Sequence, residues 1–183
     1  MSARANRLSG VYLDLSSEYM APPSVPRGPA PLADSPALHE LLATEKKYVE
    51  DLGHICDSYL APLRSLGLIP KNEERALFSN VETLRGINQE LLQNLLADNT
   101  LAGAAAAFER IAPYLKAYSQ YCADYAQATE SLERLAELRA REGWGSALEA
   151  VLQDGERQAG QPLSSLLIKP GAARPPTGAR PTA

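Results

Sequence analysis

Residues 40–52 read ELLATEKKYVEDL, part of a longer run whose apolar spacing continues on either side. Leu38, Leu41, Tyr48, Leu52, Ile55 and Tyr59 step by three and four, the spacing that puts apolar side chains on one face of an α-helix. One place in the series is filled by Glu45. A carboxylate in an apolar seam costs more than one helix face contributes unless it stays wet or is paired. Spacing alone favours a paired or solvent-reaching Glu45, bonded to a side chain one turn along or lying beside Lys46.

Upstream of this run, Ser35 suits the N-cap and Pro36 the first helical position, where a missing N–H is not felt. A long helix is predicted from there to about Leu66, closed by Gly67 and Pro70. A second is predicted over residues 72–97, with Leu77, Val81, Leu84, Leu91 and Leu95 in its seam and Asn88 among them. The third spans residues 104–138, where Phe108, Ile111, Leu115, Tyr118, Cys122, Tyr125 and Leu132 keep the spacing and Pro113 marks a bend or a local start. Gly143 and Gly145 flank Trp144, which reads as the anchor of a turn. A short helix over residues 146–152 ends near Asp154 and Gly155, and residues 162–168 form a last apolar piece. No stretch alternates β-branched and polar residues as strands do, so the expected fold is all-α, an elongated bundle of long helices.

The flanks differ in kind. Residues 1–33 are proline-rich and without period, and residues 171–183 read GAARPPTGARPTA, with no apolar residue larger than alanine; both are expected to be disordered tails. In the leader, Pro23, Pro26 and Arg27 match the P-x-x-P-R pattern of an SH3-domain ligand, a match that proline-rich segments often produce by chance, and Tyr12 and Tyr19 are candidate phosphorylation sites. A net charge of −4 offers no clustered basic face for nucleic acid. Cys56 and Cys122 lie outside any C-x-x-C spacing and read as small core residues, while His39 and His54 lack company at metal-ligand spacing. Neither a metal nor a cofactor is expected, nor a Ser/His/Asp set or a phosphate loop. Without a signal peptide, lipidation signal or transmembrane run, the expectation is a cytoplasmic protein.

ELLATEKKYVEDL resembles the first region of Dbl-homology domains, the exchange modules that act on Rho-family GTPases, in its E-L-L-x-T-E-x-x-Y-V-x-D-L pattern. ALFSNVETLRGINQELLQNL at residues 76–95 is similar to the second region, YLKAYSQYCADYAQA at 114–128 to the Y-x-x-Y-C helix, and PLSSLLIKP at 162–170 to the start of the third region. Four matches in the family's order, between about residues 34 and 170, are far more specific than any one of them. The resemblance implies a guanine-nucleotide exchange factor, a GTPase regulator without covalent chemistry that favours the nucleotide-free state of its partner. It implies that Glu45, the match to the T-E glutamate, contacts switch one of the GTPase.

After Lys169 and Pro170 the sequence leaves the family pattern. A run of the V-Q-R-x-x-R/K-Y-P-L-L-L type, with a basic residue and leucines that face the GTPase, is replaced by Gly171-Ala172-Ala173-Arg174-Pro175-Pro176-Thr177. The expected organisation is therefore a leader over 1–33, a partial Dbl-homology domain over 34–170 truncated within the third region, and a divergent tail over 171–183. The departure predicts impaired exchange, with a non-catalytic scaffold or decoy module as the alternative function.

Overall fold

The computed structural model describes residues 35–139 and 145–172. Helix α1 (Pro36–Gly53) passes without interruption into a π-helical stretch (His54–Leu60) and then α2 (Ala61–Ser65). Ser35 does stand at the N-cap in extended backbone, but its side chain makes no capping bond; its carbonyl accepts instead from the N–H groups of Leu38 and His39 at 3.1 and 3.2 Å. The π stretch was not foreseen from a period of 3.6. Ile55, Cys56, Ser58, Tyr59 and Leu60 are all buried there, more than one side of a regular α-helix can turn inward, and the wider winding spreads them over the elements packed around it.

Gly67 ends this path with a left-handed φ of +61°. Leu68 N–H reaches Leu63 O at 3.0 Å and Gly67 N–H reaches Arg64 O at 3.2 Å, a Schellman closure whose two leucines are both buried. Pro70 then caps α3 (Lys71–Phe78), and α4 (Val81–Ala97) follows. The single helix expected over residues 72–97 is thus two. The break lies at Ser79, whose φ is +44°, and it is held by α6 (Lys116–Arg139): Ser79 Oγ donates to Asp124 Oδ2 at 2.5 Å and Asn80 Nδ2 to Ala117 O at 2.9 Å.

Between α4 and α6 lies α5 (Leu101–Ile111), capped by Thr100 Oγ1, which accepts from Gly103 N–H at 3.0 Å. A 3₁₀ turn at Ala112–Tyr114 carries Pro113 and resets the helical phase. That reset corrects one expectation: Cys122 is exposed, not a core residue, while Tyr121, Ala128, Ser131 and Leu135 are buried in the seam that begins at Tyr118. Phe108 lies before the turn and is 38% exposed, because α5 turns Ala104, Ala107 and Ile111 inward instead. Cys56 is buried as expected.

Helix α7 (Gly145–Ala159) runs straight through Asp154 and Gly155 instead of ending there. Gly155 is a packing residue: a Cβ on it would stand 2.6 Å from Cε1 of the fully buried Tyr59 ring. Helices α8 (Leu163–Leu167) and α9 (Lys169–Ala172) complete the order, the last running two residues past the boundary placed at 170. The core joins Leu52, Ile55, Tyr59 and Leu63 to Leu77, Val81, Leu84, Leu95, Leu148, Leu166 and Leu167. Trp144, the leader with Pro23, Pro26 and Arg27, and residues 173–183 lie outside the described residues.

Candidate functional site

Glu45 sits on α1 in the stripe that also carries Leu38, Leu41, Tyr48 and Leu52. Its side chain is partly exposed, yet Oε1 is buried and has no hydrogen-bond partner. The pairing that spacing suggested is absent. Lys46 is exposed, and Lys47 turns to Glu50 at 3.0 Å and Asp51 at 3.3 Å. Burial without a compensating charge pushes the Glu45 carboxyl up to about 7, because loss of hydration penalises the ionised form.

Beside Glu45 lies a polar layer joining three helices. Tyr118 Oη on α6 donates to Asn88 Oδ1 on α4 at 2.7 Å, and Asn88 Nδ2 donates to Leu84 O at 2.6 Å. Asn88, conspicuous in its apolar seam, is therefore satisfied. Tyr48 Oη is buried next to Tyr118 but outside hydrogen-bonding geometry. Burial holds both phenols above their usual range.

Two turns along α1 from Glu45, the buried Asp51 gathers the C-terminal elements. Lys169 Nζ lies 2.6 Å from Oδ2, Gln161 Nε2 3.2 Å from Oδ1, and Lys47 Nζ 3.3 Å from the same oxygen. Tyr121 Oη adds a bond to Leu167 O at 2.8 Å. The region similar to the family's third region is thus seated directly on the first-region helix. Asp51 and Lys169 both lie inside the motifs quoted above, but a spacing rule does not connect residues 118 apart.

Among the described residues, no group of three His, Cys, Asp or Glu side chains could hold a metal ion, and no helix is long and apolar enough to cross a membrane. The face presents a carboxyl with an unsatisfied oxygen, framed by tyrosines and backed by an internal ion-pair node.

The RhoGEF domain family model matches residues 37–172. Myosin-M heavy chain of Dictyostelium discoideum is 33% identical over 139 residues, covering 73% of this chain and 8% of that protein. The RhoGEF domain-containing protein gxcJ of the same organism is 32% identical over 133 residues, covering 73% and 11%. The chain therefore spans about a tenth of the length of these curated relatives. A solved structure of the Vav1 exchange factor superposes with a TM-score of 0.62 at 25% identity, over 73% of this chain and 36% of that one.

Proposed function

Because this chain belongs to the RhoGEF domain family, we propose that it acts on Rho-family small GTPases as a guanine-nucleotide exchange module, with Glu45 in the docking face. The observation that carries this is the unpartnered Oε1 of Glu45 at an accessible edge of α1. A buried acceptor without a donor costs roughly 1–3 kcal/mol, and a partner that brings donors to it regains that cost on binding. The α1 face would engage the GTPase better without nucleotide than with it, and that difference in affinity is what drives GDP release. No covalent bond is made or broken in such a reaction, so this chain acts as a regulator of its partner.

One sequence observation favours a second, weaker-exchange reading. The residues after Pro170 depart from the run of a basic residue and leucines that the family pattern places against the GTPase, so binding would outlast exchange and the chain would act as a decoy or scaffold. Release of a fluorescent GDP analogue from a panel of Rho-family GTPases separates the two. Release faster than the GTPase alone, lost on Glu45→Ala, supports exchange; unaltered release with retained binding supports the decoy; neither release nor binding excludes both.

A further inference from the structure

Two polar side chains of the layer beside Glu45 are turned elsewhere. From α6, Tyr118 gives its hydroxyl proton to Asn88. From α4, Asn88 gives its amide to Leu84 O. Tyr48, one turn along α1, has no hydrogen-bond partner of its own. Among the described residues, Tyr48 and Tyr118 are the titratable groups that face the carboxyl, the α4 contribution is uncharged, and no charged group offsets the burial. Lys47, the cation two positions along, is taken up by Glu50 and Asp51.

An ionised carboxylate is poorly served in such a place, since one of its oxygens is out of water with nothing to donate to it. The free chain therefore holds the carboxyl proton more tightly than water does. The side chain is also partly exposed, so an arriving protein reaches it. We propose that docking of a Rho-family GTPase ionises Glu45: backbone N–H groups or a cation of the partner take up its oxygens, and the carboxyl proton leaves to solvent as the complex forms. The O–H bond breaks, its electron pair stays on the carboxylate, and water or buffer accepts the proton. This rests on the docking role given to Glu45 above and adds to it a direction of pH control.

With the free carboxyl at about 7, the sign is fixed. Below that pH a growing fraction of free chains must give up a proton in order to bind, so affinity falls as pH falls. It levels off above, and from pH 8 to pH 6 it drops about tenfold.

Carbon-detected NMR of the Glu45 side-chain carboxyl, assigned through its own backbone, tests this on the full chain. It is recorded for the free chain and for the chain saturated with a nucleotide-free Rac-type GTPase, with a Rho-type GTPase as second probe; affinity is measured at pH 6 and pH 8. The expected result is titration near neutrality in the free chain, a carboxylate still ionised at pH 6 in the complex, and the tenfold loss of affinity. Titration of the free chain in the ordinary carboxylate range overturns the proposal while leaving the docking role intact, and so does an unchanged midpoint in the complex. Failure of both GTPases to bind overturns the docking role and the proposal together.

Discussion

Lys169 Nζ lies 2.6 Å from Asp51 Oδ2, a contact that crosses 118 residues and fastens the C-terminal helices to α1. Asp51 is almost wholly buried while Lys169 keeps about a third of its side chain in solvent, at 6% and 32% exposure. The pair sits at the boundary where a charge-assisted bond is shielded enough to matter and the lysine is still hydrated enough not to be strongly penalised.

Lys169→Met should therefore destabilise the chain by about 1–3 kcal/mol, because Asp51 loses its shortest partner and keeps only Gln161 and the exposed Lys47. Asp51→Asn combined with Lys169→Met should cost less than the sum of the single changes. Urea unfolding of the four proteins measures this, and strict additivity would show that the contact is not an energetic one.

Gly155 and Gly86 predict opposite outcomes for the same substitution. Gly155→Ala drives a methyl into the Tyr59 ring, whose hydroxyl is fixed to Gln161 O at 3.0 Å, and should lower stability by about 1–3 kcal/mol. Gly86→Ala adds a methyl on the exposed side of α4, where nothing lies within 4 Å, and should raise stability by about 0.5–1 kcal/mol. Thermal unfolding with matched heating rates is enough to see the two signs.

Glu45 makes stability depend on pH. Its carboxyl stands at about 7 in the folded chain against an ordinary 4.5, so the folded state binds the proton more tightly than the unfolded one. Its contribution is fully present below about pH 4.5 and is lost as pH rises toward 7. Glu45→Gln should remove that slope and be more stable than the parent at pH 8 by about 1–3 kcal/mol, read from denaturant midpoints at pH 5 and pH 8. A parent and a variant with parallel profiles would rule out a desolvated Glu45.

The helical character and the prominence of Glu45 were legible in the sequence because both rest on local spacing. A carboxylate at a core position of a three-and-four series stands out without any knowledge of tertiary contacts. The break at Ser79 did not stand out, since Leu77, Val81, Leu84 and Asn88 keep their spacing across it and only the bonds to Asp124 and Ala117 reveal it. The exposure of Cys122 was hidden by the phase reset at Ala112–Tyr114, after which a series continued by eye points to the wrong face. Gly155 looked like a terminator because a glycine is as useful for ending a helix as for admitting a ring against it, and only the position of Tyr59 distinguishes the two. Within the candidate site, the Asn88–Tyr118 bond and the Asp51–Lys169 pair were out of reach for the same reason: each depends on a partner from a distant helix.

The proposed docking of a nucleotide-free Rho-family GTPase on the α1 face that carries Glu45 can be tested by binding alone. The most direct measurement is equilibrium binding of the full chain to Rho-family GTPases, nucleotide-free and GDP-loaded, with the parent and Glu45→Ala. Tighter binding of at least one nucleotide-free GTPase than of its GDP form is expected, weakened about tenfold or more by Glu45→Ala, in keeping with loss of a charged hydrogen-bonding group worth roughly 1.5–3 kcal/mol. Equal affinity for the two forms, or binding indifferent to Glu45→Ala, would contradict it.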